Sequence, residues 1–189
     1  KADGVEAVAI CFMNSFANPA HEQAAAALVR AAMPGAYLTV SGELLPSVRF
    51  YNRLSTTVLN SYTGPKLSRY LDSLTARLAA LRFGGVLLIM QSNGGVVLPD
   101  VAQRTAVMTL LSGPAAGPVA GVRYAEAHGH KSCVTVDMGG TSFDAALVRN
   151  GVPVTSHESE INRYRVAMPS LDIVTIGAGG GSIGWIDEG

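Results

Sequence analysis

Val136-Asp137-Met138-Gly139-Gly140-Thr141-Ser142-Phe143-Asp144 is the stretch around which the rest of this 189-residue chain arranges itself. Ser132 to Asp137 reads as a strand that ends in a carboxylate; two glycines and a hydroxyl then turn the chain into a second strand, Phe143 to Val148. Successive N–H groups in such a turn form a concavity for phosphate oxygens, and a neighbouring Asp can hold Mg²⁺, usually through water. The same residues also fit an ordinary Gly-Gly hairpin in which Asp137 is a local turn acceptor. The pattern alone leaves both readings open.

Working outward, Asn150-Gly151 signals a further turn into a third strand, Val152 to Thr155, which makes an antiparallel meander. Ile173 to Ile176 is another strand and runs straight into Gly177-Ala178-Gly179-Gly180-Gly181-Ser182. On the other side, Ser112-Gly113-Pro114 opens a helix through about His128, and its small residues Ala116, Gly117, Ala120 and Gly121 allow another element to approach closely. Pro118 is awkward there, because just past the first turn it costs a backbone hydrogen bond.

The first half reads as β-α-β. Val5 to Phe12 is one strand, Asn18-Pro19 starts a helix that ends at Pro34-Gly35, and Tyr37 to Ser41 is a second strand. From Ser47 to Phe83 the pattern is helical. Leu67, Tyr70, Leu71, Leu74, Leu78 and Leu81 fall on one stripe, with Pro65 and Gly84 marking the ends of that helix. Val86 to Gln91 is a strand leading into Ser92-Asn93-Gly94-Gly95, a turn with positive φ. The expected fold class is α/β, with a boundary near Leu110 to Gly113 that divides residues 1–111 from 112–189.

Composition narrows the functions. Fourteen basic and fourteen acidic side chains leave a net charge of +0, which excludes the electrostatic footprint of a general nucleic-acid or acidic-lipid binder. Hydrophobic residues make up 48% and charged ones 15%, which predicts a large core. The longest apolar run, Ala7 to Met13, is too short for a bilayer, so a soluble, cytoplasmic protein is expected. Cys11 and Cys133 both lie in strand-like runs, which argues against a disulfide framework or a cysteine-rich zinc site. The chain starts on Lys1 and stops on a strand running into a turn, as an excised piece of a longer protein would.

Taken in order, Asn18-Pro19-Ala20-His21-Glu22, Arg53-Leu54-Ser55-Thr56-Thr57-Val58-Leu59-Asn60, Met90-Gln91-Ser92-Asn93-Gly94-Gly95, Leu111-Ser112-Gly113-Pro114-Ala115-Ala116-Gly117 and Ile176-Gly177-Ala178-Gly179-Gly180-Gly181-Ser182 resemble the successive signatures of the hydantoinase A and 5-oxoprolinase family. The small-residue helix leading into the Asp137 turn resembles the connecting helix and second phosphate loop of actin-like ATPases and sugar kinases. The resemblance implies lobes of the actin-like, ribonuclease-H-like ATPase fold, with this chain covering the late part of a first lobe and the early part of a second. It also implies ATP and Mg²⁺ as cofactors and ATP-dependent opening of a small cyclic amide, a hydantoin or 5-oxoproline. The expected partner is a B-type hydantoinase subunit or fused domain, and the chain alone would then be inactive. The resemblance also implies relatives that are nucleotide-binding subunits of ATP-dependent ketone carboxylases. A sugar-kinase-like phosphotransferase and a non-catalytic subunit-contact module are the competing readings.

On that resemblance Asp137 orients Mg²⁺, and Gly139, Gly140 and Thr141 contact phosphate. Asp144 is assigned to the catalytic set as a second carboxylate, and equally reads as a strand residue or turn cap. Gly177, Gly179, Gly180 and Gly181 let nucleotide or the opposite lobe approach the backbone. Asn93, Ser112 and Gly113 are candidates for substrate binding. His21, in a first helical turn where a charged imidazole is disfavoured, is a weak metal-ligand candidate, because no second ligand stands at coordinating spacing.

Overall fold

The computed structural model describes residues 4–186, and its elements follow the period of the sequence closely in the first forty residues. β1 (Ala7–Ile10) and β2 (Tyr37–Val40) pair in parallel, joined by α1 (Ala20–Ala32). The Asn18 side chain accepts from the Ala20 N–H at 3.1 Å, as its place before the helix predicted. Ile10, Ala26 and Val40 form a small core between this helix and the strand pair. A short helix, α2 (Ser41–Leu44), follows β2 directly.

α3 (Phe50–Ala80) corrects one expectation, because it runs straight through Pro65 instead of starting there. A proline ring collides with the Cβ of the residue before it when that residue is helical. Here that residue is Gly64, which has none, and the bare spot receives the ring of Tyr37. Of the expected apolar stripe, Leu71 is buried while Tyr70 and Leu81 face outward. Earlier turns of α3 bury Asn52, Arg53, Thr56, Thr57 and Asn60 instead.

β3 (Ile89–Met90) and β4 (Val96–Val97) form a hairpin shorter than predicted, with Gly94 at its tip at φ +81°. α4 (Pro99–Arg104) and a 3₁₀ turn (Ala106–Thr109) lead to α5 (Ala116–Ala127). Because α5 begins at Ala116, not Ser112, Pro118 lies in the first turn, where an N–H would have no acceptor within the helix. No hydrogen bond is lost there.

The final third is antiparallel. β5 (Cys133–Met138), β6 (Phe143–Arg149) and β12 (Ile173–Ile176) form one sheet in the order β12-β6-β5, with β7 (Val152–Pro153) on β6 after a turn at Asn150 and Gly151. β8 (Thr155–Ser156) pairs with β11 (Ser170–Leu171), and β9 (Ser159–Ile161) with β10 (Tyr164–Val166). Val166 joins Val107 and Met108 in a second core that also takes Leu59 of α3. The late hairpin thus packs onto the early helix.

The large core that composition predicted is absent among the described residues. Most buried apolar residues are small, and the accessible surface is 12068 Å². A folded monomer of this mass exposes roughly 8,600 Å². One sheet face contributes to the excess. Register places Val134, Val136 and Met138 beside Leu147, Ala145 and Phe143, and the latter two beside Val174 and Ile176. The five residues on β5 and β12 are each more than half exposed. On the opposite face α5 packs on β5 and β6, approaching β5 at Gly121 against Thr135, the close contact its small residues predicted, while Asp137 and Thr175 on that face stay exposed.

Candidate functional site

The face under α5 carries Thr135 and Asp137 on β5, Asp144 and Ala146 on β6, and Ile173 and Thr175 on β12. Alternation along each strand decides this, since residues two apart share a face. Asp137, Asp144 and Thr175 therefore make one row across three strands. Thr175 Oγ1 donates to Asp144 Oδ1 at 2.5 Å, and Ser142 Oγ donates to Oδ2 at 3.4 Å. Asp137 has no such partner among the described residues. Both carboxylates line a cavity of about 300 Å³ floored by the sheet and roofed by Pro114, Gly117 and Gly121.

The turn between the two strands is held partly by its own backbone. Gly139 N–H donates to Ser142 O at 3.0 Å, so this one of the three expected phosphate contacts is already occupied. The Gly140 and Thr141 N–H groups have no acceptor among the described residues. The second glycine loop packs against the first. Gly180 N–H donates to Gly139 O at 2.9 Å, and Gly179 N–H to Ser182 Oγ at 3.0 Å. A Cβ on Gly179 would stand 2.5 Å from the Gly140 carbonyl. What approaches the buried Gly179 is therefore the Asp137 turn itself, while Gly177 and Gly181 remain exposed beside it.

A second cavity, about 230 Å³, shares Pro114 and Ile173 with the first and reaches from Thr175 to Ser92 and Leu111. Ser92 knits this region together. Its hydroxyl lies against the carbonyls of Met108 and Leu110, and its own carbonyl accepts from Leu171 N–H at 2.7 Å. Leu111 is held at φ +62°, a strained conformation for a branched residue. Ser112 and Gly113, which follow it, line neither cavity. Asn93 spends its side-chain oxygen on the Gly95 N–H at 2.8 Å, closing its own turn.

His21 is exposed on α1, which packs on β1 and β2, away from the sheet that carries Asp137. Among the described residues no group of three or more His, Cys, Asp or Glu is placed to hold a metal ion. Its neighbour Glu22 is fully buried and forms a cluster that the sequence reading missed. Glu22 Oε1 accepts from Ser41 Oγ at 2.6 Å and Phe12 N–H at 2.7 Å, and Oε2 from Gly42 N–H at 2.8 Å. Arg53, also fully buried, donates from Nε to Ser41 Oγ at 3.0 Å and from its terminal nitrogens to the carbonyls of Ser47, Phe12 and Met13. Phe16 and Phe50 flank its guanidinium at 5.7 and 5.8 Å. Burial alone would push the Glu22 carboxyl up, but these hydrogen bonds outweigh it and hold the group below its usual value. The cluster fixes the loop that leaves the carboxyl end of β1. The Arg-x-Ser-Thr-Thr spacing was the available signal for it.

The chain belongs to the hydantoinase/oxoprolinase family, whose model matches residues 53–189. Among curated proteins it is 43% identical to the caprolactamase subunit alpha of Pseudomonas jessenii over 97% of this chain and 26% of that one. The crystal structure of the ATP-dependent caprolactamase from the same organism superposes with a TM-score of 0.88 at 41% identity, covering 99% of this chain and 27% of that chain. The 5-oxoprolinase of Saccharomyces cerevisiae is 30% identical over 96% of this chain and 14% of its own length. The acetone carboxylase beta subunit of Xanthobacter autotrophicus is 25% identical over 96% and 26%. The chain thus spans about a quarter or less of the length of these relatives. No helix among the described residues is long and apolar enough to cross a membrane.

Proposed function

We propose that this chain is the nucleotide-binding part of an ATP-dependent hydrolase that opens small cyclic amides, built on the actin-like ATPase architecture. The observation that carries the reading is the Asp137–Asp144–Thr175 row beside the glycine turn, whose two carboxylates line one cavity. Two carboxylates opposed on neighbouring strands repel unless a cation lies between or beside them. Mg²⁺ suits such a site, since it is held by one or two carboxylates together with waters and phosphate oxygens. Asp137 would orient the ion, Asp144 is steered by Thr175 and Ser142, and the free N–H groups of Gly140 and Thr141 suit phosphate oxygens. Gly179 and Gly180 brace that turn.

An amide carbonyl is a poor electrophile. Transfer of the γ-phosphoryl group to its oxygen would release ADP and leave a carbon that water attacks; the ring C–N bond would then break as the nitrogen takes a proton, giving an acyl phosphate, and a second water attacking the acyl carbon would release phosphate with the former carbonyl oxygen. Bound nucleotide and Mg²⁺ supply the phosphoryl group and neutralise its charge, and positioning accounts for most of such catalysis. The names of the caprolactamase and 5-oxoprolinase relatives support a cyclic amide as the substrate class. The acetone carboxylase relative supports a second reading, a subunit of an ATP-dependent ketone carboxylase.

The bare apolar face of the β12-β6-β5 sheet supports a partner, a B-type subunit or further polypeptide of the same enzyme. The route is tested in the assembly that contains this chain by supplying a lactam labelled with ¹⁸O at its carbonyl. Label recovered in inorganic phosphate is the expected result. Phosphate free of label would overturn the phosphorylated-carbonyl route.

A further inference from the structure

The cavity of about 230 Å³ that reaches from Thr175 to Ser92 has a one-sided lining. Glu158, Glu160 and Asp172 stand around it, and no Lys, Arg or His does. Glu158 is answered from outside the cavity, by Arg49 at 2.5 Å and Arg165 at 3.8 Å. Arg165 stands opposite Glu160 in the β9–β10 ladder, but its guanidinium reaches Glu158. The side chains of Glu160 and Asp172 have no ion-pair or hydrogen-bond partner among the described residues.

Ser170 gives a second, independent sign. It is 7% exposed, and its hydroxyl has no hydrogen-bond partner among the described residues. Such a group is costly unless something outside the protein satisfies it. The hydroxyls of Ser47 and Ser55 also lack partners, but they are sealed from solvent, whereas that of Ser170 opens on this cavity. Ser156 stands opposite Ser170 in the β8–β11 ladder and Asp172 lies two residues on, so the three share a face. Ser156 Oγ donates to Glu158 O at 2.6 Å, and Thr175 Oγ1 donates to Asp144 Oδ1 at 2.5 Å. With those protons spent, both hydroxyls offer the cavity only lone pairs, as the carboxylates do.

We propose that this cavity binds a small primary ammonium, held by Glu160 and Asp172 with Ser170 accepting a further N–H. An ammonium brings three donors and no acceptor, which matches a wall of acceptors, and its hydrogen bonds to carboxylates are charge-assisted. An anion would meet two carboxylates that no cation answers. The cation is organic, because no group of three or more His, Cys, Asp or Glu among the described residues is placed to hold a metal ion. Leu111, Leu171 and Ile173 add an apolar wall for a short alkyl chain. The volume lies below the roughly 300–1,000 Å³ of drug-sized sites, which suits a ligand of that size. The proposal goes beyond the nucleotide reading and stands apart from it, since neither Glu160 nor Asp172 lines the cavity at Asp137.

The test is a titration of n-propylamine, protonated at neutral pH, into the chain at fixed ionic strength, followed by the backbone amide resonances of Ser170, Leu171 and Asp172. Saturable shifts are expected. The affinity should fall about threefold in Ser170→Ala and at least about tenfold when Glu160→Gln and Asp172→Asn are combined, since hydrogen bonds to charged groups are the stronger. 1-Propanol should bind at least about tenfold more weakly than the amine, and propionate should give no shifts. The variants should fold, because Ser170→Ala removes only an unpartnered hydroxyl and both acids are exposed. Asp137→Ala should leave the amine shifts intact, and their loss there would place the ammonium at the nucleotide cavity and overturn the proposal. Absence of saturable shifts in the wild type would overturn it, as would affinities unchanged by every substitution or equal binding of 1-propanol. Equal shifts with potassium chloride would make the cavity an inorganic cation site and would overturn it too.

Discussion

Asp137 and Asp144 stand directly opposite each other across the β5–β6 ladder, on the sheet face where α5 packs. Like charges so placed destabilise a sheet by about 0.2–1 kcal/mol. Asp137→Asn should therefore raise the melting temperature in a buffer with chelator. Adding Mg²⁺ with ADP should reverse the order by stabilising the wild type alone. Thermal melts of both proteins under both conditions check this.

Glu22 and Arg53 never touch; each meets the Ser41 hydroxyl instead. Removing one charge of a buried set leaves the other unmatched, so Arg53→Met should cost about 3–5 kcal/mol in urea unfolding.

The same cluster sets an acid limb. The folded-state pKa of Glu22 lies below its unfolded value of 4.5, so between the two the unfolded chain binds more protons and stability rises with pH. Its contribution is complete above 4.5 and is lost as pH falls through the depressed folded value. Urea midpoints measured against pH should show this limb in the wild type and lack it in Glu22→Gln.

Adjacent glycines in the second loop should respond differently. At Gly179 a methyl group would strike the Gly140 carbonyl at 2.5 Å, whereas at Gly180 the nearest atom, Gly139 O, is 3.7 Å away. Gly179→Ala should cost more than about 1 kcal/mol, because two backbones must separate. Gly180→Ala should be close to neutral by the same unfolding measurement.

Leu111 should be improvable. At φ +62° a side chain costs about 1–2 kcal/mol that glycine avoids, offset in part by the greater freedom of unfolded glycine. Leu111→Gly should not destabilise the chain, although a core leucine lost in this way would cost more than about 2 kcal/mol.

The sequence made the β1-α1-β2 unit, the Gly94 and Asn150-Gly151 turns and the Ile173–Ile176 strand legible, because each rests on local period or turn chemistry. It hid whatever depends on distant neighbours. Pro65 looked like a helix boundary because the allowance made by Gly64 and filled by Tyr37 lies outside any local pattern. Val134, Val136 and Met138 alternate in the same way whether or not their face is covered, so apolar content overstated the core. At the site, the Asp137 turn was visible as a motif. That Gly139 spends its N–H on Ser142, and that Gly179 serves the turn rather than a ligand, follows only from how the two loops meet.

The central claim is that the Asp137 turn binds the phosphates and metal of a nucleotide. Calorimetric titration of Mg·ATP and Mg·ADP into this chain and into Asp137→Ala, both verified as folded, addresses it most directly. The account predicts saturable binding by the wild type that is lost or weakened at least about tenfold, some 1.4 kcal/mol, in the variant. Equal binding by both proteins, or none by the folded wild type, would contradict it.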